Sequence, residues 1–413
     1  MALCLACSLI ARRNFVAYDQ LVRYKWWYQY GYMSSNGECF TIGVATRESL
    51  DEFIDRQKIF AKQHKLPIDY IDYLSDPFLL AKFNVECSKP GVAGNGSLMR
   101  LAPVPLFFHQ HIKEAVEFSG YSGKITHGDQ KAYDACRYFG ALIVAALHNF
   151  TKDELLDVNF LDKHRSWFGE TPICDEIRKI AQGSYRKSGG YDDGIRGKGY
   201  VVDALEAALW AFWSDDNDFE KGVLAAVNLG DDTDTTAAIY GQLAGAYYGY
   251  EKLPEKWIYK VYGRKFMIKL SKWIGYEGKK WKKPSSIFTH YHPTTGVTRT
   301  LSVENFSMNT MESFYSMPMP QKHFDTAPVG KKTNRLTVLC SETEQNERRS
   351  SLSDPSILDN TDFGSNKTSK SQLTTPIGWI PFVYPSNTEE SSARMPTPMS
   401  TSQSKTTRNE FSA

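Results

Sequence analysis

Between Gln130 and His148 apolar side chains fall at Tyr133, Cys136, Phe139, Ile143, Val144 and Leu147, a three-and-four spacing that lines one face of an α-helix. Val201 to Trp213 reads as another buried helix, and the opening "MALCLACSLIARR" carries Leu3, Ala6, Leu9 and Ile10 at the same period. Punctuation agrees with the periodicity. Ser49 and Glu52 have the spacing of a capping box ahead of Phe53 and Ile54; Thr171-Pro172 reads as an N-cap followed by proline at the first helical position; Pro254 opens "PEKWIYKVYGRKFMIKLSKWI". Two-residue alternation is nearly absent. The expectation is an all-α fold: a multi-helix domain over residues 1–280, packed in layers and not as a simple bundle.

After "GKKWKKPSS" the pattern stops. Ser, Thr, Asn, Pro and Lys dominate, as in "SETEQNERRSSLSDPS", and such a segment buries too little apolar area to offset its chain entropy. Residues 285–413 are therefore expected to be a low-complexity, largely disordered tail. One island in it, "IGWIPFVYP" at 377–385, reads either as a docking peptide or as a sticky spot with no partner. Lys279, Lys280, Lys282 and Lys283 read as a nuclear signal or, more commonly, as a solvated run.

Bulk composition narrows the partners. Of 413 residues 41% are hydrophobic, enough for a large core, and the net charge is only +2. No overall field points to nucleic acid or to an acidic membrane surface, so neither is expected as a partner. No run approaches the roughly 18 apolar residues of a membrane span, and the first residues lack the basic stretch that leads a signal peptide. Seven scattered cysteines favour a reducing compartment, cytoplasmic or nuclear. Cys4 and Cys7, a lone CxxC at helical spacing, read as core residues.

The densest chemistry lies at "GDDTDTTAAIYGQLAGAYYG", where Asp231, Asp232 and Asp234 alternate with threonines ahead of a small-sided helix expected to begin near Thr236. Asp232, Asp234 and the Thr235 hydroxyl are hard oxygen donors converging from one turn, the kind magnesium, manganese or calcium prefers. Gly230 allows the tight backbone, and the helix N-terminus offsets part of the repulsion. One aspartate suffices for a cap, and three are hard to explain that way. Gly241, Gly245 and Gly249 leave one side of the helix nearly bare for close packing.

This stretch resembles the C-terminal signature of the ADP-ribosylglycohydrolase family, which includes dinitrogenase reductase-activating glycohydrolase and the J1 crystallins. The likeness continues in order through "GYMSSNGECFTIG" (31–43), "GNGSLMRLAPVPLFF" (94–108), "THGD" (126–129) and "GKGYVVDALEAALWAF" (197–212). It implies an all-α fold around a pair of divalent cations, Mg2+ or Mn2+, that cleaves the glycosidic bond between ADP-ribose and a protein side chain or small acceptor. By the same resemblance Asp232, Asp234 and Thr235 match metal ligands, while Asn95, Gly96, Ser97, His127, Tyr200, Gly37 and Phe40 match positions that face the ADP-ribose moiety. Read without it, "GNGS" is a tight turn able to cradle phosphate or ribose hydroxyls, His127 a helix cap, and Phe40 an ordinary core residue.

Three departures qualify the likeness. Asp231 stands where the family usually has glycine, and Thr41 where it often has aspartate. In the family a Trp-Thr-Asp-Asp-Thr segment, supplying the opposite half of the metal cage, precedes a Met-Ala-Leu helix, and this sequence begins at Met-Ala-Leu. The resemblance thus implies a domain lacking its N-terminal metal-binding segment. Two readings follow: a metal-dependent ADP-ribosyl hydrolase, or a non-catalytic ADP-ribose-binding or crystallin-like relative whose metal site has decayed.

Overall fold

The computed structural model describes residues 1–283. The helices that carry the architecture are α1 (Ala2–Arg12), α2 (Ala17–Tyr30), α3 (Val44–His64), α4 (Gly96–Met99), α5 (Pro103–Phe108), α6 (Ile112–Lys124), α7 (Gln130–Leu147), α8 (Val201–Trp213), α9 (Phe219–Asn228), α10 (Thr233–Tyr248) and α11 (Arg264–Lys280). Among the described residues there is no β-strand, and one isolated bridge pairs Gly94 with Tyr200. The fold is all-α. The expected tail, with its 377–385 island, lies outside the described residues.

The periodicity locates α7 correctly but understates its burial. Every residue from Asp134 to Ala146 is buried, on all sides of the helix and not along one stripe, because α6, α8 and α10 pack around it. Small residues let them come close: a Cβ at Gly140 would lie 2.3 Å from Ser119 Oγ, and one at Gly123 would lie 3.0 Å from Cys136 Sγ. A second layer joins α1, α2, α5 and α11, where Gly278 sits so near α5 that a Cβ would meet Phe107 O at 2.2 Å. In α1 the thiols of Cys4 and Cys7 are free and buried, and burial pushes Cys7 up to about 11. No described helix is long and apolar enough to cross a membrane.

The cap readings need correction, and tertiary contacts explain why. Ser49 does not start a helix; it lies inside α3, its hydroxyl 2.9 Å from both Ala45 O and Thr126 O, so it ties α3 to the segment bearing His127. Thr171 caps nothing. The helix that follows begins at Asp175 with Cys174 at its N-cap. The buried Arg137–Asp134 pair holds the intervening chain extended: Arg137 donates to Thr171 O at 3.1 Å, and Asp134 Oδ2 accepts from Cys174 N–H at 2.9 Å. Pro254 is itself an N-cap, of the short helix Glu255–Ile258, and left-handed Gly263 (φ 68°) separates that helix from α11.

Candidate functional site

α10 starts at Thr233, earlier than its sequence indicates, with Asp232 in the N-cap position. The chain enters through two consecutive left-handed residues, Gly230 (φ 83°) and Asp231 (φ 58°); the first suits glycine, and aspartate tolerates the second better than most residues. Asp232 gives its carboxylate no capping role in its own helix. Its Oδ2 instead accepts a hydrogen bond from Asn95 Nδ2 at 2.7 Å. Its backbone N–H donates to Gly197 O at 2.7 Å, and its carbonyl accepts from the Thr236 N–H at 3.0 Å and hydroxyl at 2.9 Å. Gly197 must be bare for this, since a Cβ there would stand 2.6 Å from Thr236 Oγ1.

Asn95 belongs to a two-segment clasp over the acidic turn. Its N–H donates to Gly199 O at 3.0 Å, its Nδ2 also reaches Lys198 O at 3.3 Å, and Val201 N–H donates to Ala93 O at 2.9 Å. The "GNGS" and "GKGY" segments therefore run antiparallel, and both are fastened to Asp232. Rigid placement of that carboxylate is the consequence.

The acids are crowded. Burial, then a hydrogen bond with Asp232 and that residue's like charge, raise the pKa of Asp234. Thr235 is buried, its hydroxyl donating weakly to Met99 Sδ at 3.3 Å. Beside them Asp203 is raised too, first by burial and then by Glu206 and Asp231, with Lys198 opposing. Asp232, Asp234 and Thr235 fit a hard cation by donor chemistry; among the described residues, however, no group of three or more His, Cys, Asp or Glu is gathered to hold a metal.

His127 is not a helix cap: Asp129 caps α7, accepting from Lys131 N–H at 2.7 Å. His127 instead lies buried under the clasp, its Nε2 3.3 Å from where a Gly94 Cβ would be and 3.4 Å from that of Gly96. Burial, helped by Arg100, pushes its pKa down to about 3. Tyr200, at the N-cap of α8, is exposed at the rim. Ser97 is buried on α4, its hydroxyl close to the Cys136 thiol. Gly37 (φ 76°) and Phe40 lie on the loop after α2; Phe40 is 61% exposed and is no core residue. The structure thus gathers Asn95, Gly96, His127, Asp232, Asp234 and Thr235, sets Tyr200 at their edge, and leaves Gly37 and Phe40 on an open loop.

Sequence reasoning missed three contributors. Gly197 carries the carbonyl that fixes Asp232; Thr126 and the fully buried Arg100 support His127. The one available signal was Arg100 itself, a lone charge inside the apolar run "SLMRLAPVPLFF".

A family model described as ADP-ribosylglycohydrolase matches residues 1–284. The chain is similar to the ADP-ribosylarginine hydrolase Tri1 of Serratia proteamaculans (30% identical over 279 residues, 67% of this chain and 65% of that one). It is likewise similar to Tri1 of Pseudomonas putida (34% over 278 residues, 66% and 63%), and more distantly to the human ADP-ribosylhydrolase ARH3 (26% over 209 residues, 43% and 55%). The match thus spans a little under two thirds of the length of the two Tri1 proteins. A solved structure of an ADP-ribosylglycohydrolase-related protein complex superposes with a TM-score of 0.50 at 31% identity, covering 67% of this chain and 79% of that one.

Proposed function

The chain belongs to the ADP-ribosylglycohydrolase family, and from that premise we propose that it hydrolyses the glycosidic bond joining ADP-ribose to an arginine side chain. The observation that carries the reading is the clasp: Asp232, Asn95 and the Gly197–Gly199 backbone, distant in sequence, are bonded into one rigid acidic turn with Asp234 alongside.

Asp232, Asp234 and Thr235 would hold a magnesium or manganese ion, which supplies charge to polarise ribose hydroxyls and to lower the pKa of a bound water. The chain's own residues do the rest. Asn95 fixes the direction of the Asp232 carboxylate. Gly94 and Gly96 let a ligand approach the backbone closely. Neutral His127 waits beneath them, and Tyr200 offers a ring face at the rim for ribose or base. Positive charge developing at an oxocarbenium-like ribose centre is favoured by the negative field of the two aspartates. The choice of acceptor rests on kinship: the two Tri1 relatives are named ADP-ribosylarginine hydrolases.

The test is release of free ADP-ribose from arginine- and serine-ADP-ribosylated peptides, with magnesium or manganese present. Release from the arginine peptide, lost in an Asp232→Ala, Asp234→Ala double variant, is expected. Release from serine alone would overturn the acceptor, and release from neither would overturn the activity. A second reading, a non-catalytic ADP-ribose-binding or crystallin-like relative, draws on the absence of a larger ligand cluster among the described residues; it predicts no turnover of either peptide.

A further inference from the structure

Arg100 is a full guanidinium with no exposed surface, and its hydrogen bonds go to Gly96 O at 3.0 Å, Ser122 O at 2.9 Å and Thr126 Oγ1 at 2.6 Å, none of them a carboxylate. The Tyr24 ring lies under its charge, 4.9 Å from Cζ. A cation buried without a counter-ion is costly, so the arrangement calls for a reason. Its third acceptor supplies one. Thr126 Oγ1 also lies 2.9 Å from His127 Nδ1, and 3.5 Å from Gly123 O.

An arginine only donates, so the short bond from Arg100 occupies Thr126 as an acceptor. The hydroxyl proton must then go to Nδ1 at 2.9 Å or to the Gly123 carbonyl at 3.5 Å, and the shorter path wins. If Nδ1 accepts, the proton of a neutral imidazole sits on Nε2. That nitrogen borders the space left by the missing side chains of Gly94 and Gly96.

We infer that Arg100, acting through Thr126, is a positioning residue that fixes His127 as the neutral Nε2–H tautomer, a hydrogen-bond donor presented to an acceptor oxygen of the ligand at the Gly94–Gly96 backbone. The guanidinium has a second effect: its charge and the burial of the ring both keep imidazolium from forming. The donor is therefore constant across physiological pH. Its tautomer is a property of the free protein; its use on ADP-ribose rests on the reading of the site given above.

Long-range proton–nitrogen NMR of the full chain, with the His127 signals assigned by their loss in His127→Gln, reads the tautomer directly. The expected result is a protonated Nε2 and a bare Nδ1 between pH 5.5 and 8. A protonated Nδ1, or an imidazolium in that range, overturns the inference whatever the protein binds. Thr126→Val, which keeps the side chain's shape, should let Nδ1–H become populated and weaken ADP-ribose binding about fivefold, the worth of one hydrogen bond. Thr126→Ser should restore both. Equal tautomers and equal affinity in Thr126→Val and the parent overturn the role of the relay. If the Nε2–H tautomer and its dependence on Thr126 are both seen while ADP-ribose binds to no form, the positioning stands and the ligand reading fails, so the two are separable.

Discussion

Lowering the pH from 7 to 5 protonates His127 in the unfolded chain but not in the folded one. Burial and the Arg100 charge push the folded pKa down to about 3, against 6.5 for an unperturbed histidine. Between those values the unfolded state holds one proton that the native state refuses, so unfolding free energy falls as pH falls. The slope for one proton is about 1.4 kcal/mol per pH unit. Stability from this group is complete above about pH 6.5, and about 2 kcal/mol of it is gone by pH 5. His109, pushed down to about 4 by burial, acts in the same direction and is more exposed to solvent. The assay is urea unfolding, followed by tryptophan fluorescence at pH 5, 6 and 7, of the parent and of His127→Gln. His109 is common to both proteins, so the difference between their pH slopes isolates His127. A shallower dependence in the variant, by about one proton, is expected. Identical slopes would refute the claim that the ring is held neutral.

Asn95→Asp should set a third carboxylate against Asp232, replacing a 2.7 Å hydrogen bond with repulsion. A loss of about 2 kcal/mol, recovered on adding manganese, is expected in thermal melts. Gly197→Ala drives a Cβ to 2.6 Å from Thr236 Oγ1; it should lower Tm and ADP-ribose affinity together, and Thr236→Ala in the same chain should return part of both, which differential scanning fluorimetry can follow. Asp215 is fully buried, paired with Lys152 and accepting from the hydroxyls of Tyr240 at 3.1 Å and Tyr248 at 2.9 Å. Asp215→Ala leaves the lysine uncompensated and should cost about 3 to 5 kcal/mol in urea unfolding, with no change in which acceptor is cleaved.

The helical architecture was legible because a 3.6-residue period survives any packing arrangement; α7, α8 and α10 are all visible as runs of apolar and small residues. What the period could not show is how many neighbours a helix has, and so α7 looks amphipathic while being enclosed. Capping signatures failed at Ser49 and Thr171 because distant partners intervened: the Ser49 hydroxyl is taken by Thr126 O, and the Arg137–Asp134 pair holds the backbone at Thr171 O and Cys174 N–H. The acidic turn was readable from its composition, and its crowding is real. Its fastening was not, because Asn95 and Gly197 are remote in sequence from Asp232 and one of the two contributes only a carbonyl. The start of α10 moved toward Thr233 for the same cause, since the bond to Gly197 O sets where Asp232 stops and the helix begins. Of the residues matched by resemblance, Phe40 lies exposed on the loop after α2 and Ser97 is buried on α4, neither of which the motif alone could show.

The proposed hydrolysis requires the acidic turn to hold a divalent ion against a ribose. Calorimetric titration of ADP-ribose into the chain, with manganese present and after its removal by chelation, meets that claim head on. Binding that needs the cation, and that vanishes in the Asp232→Ala, Asp234→Ala double variant while the fold persists by circular dichroism, is the result predicted. Equal binding with and without manganese, or binding untouched by loss of both aspartates, would contradict it.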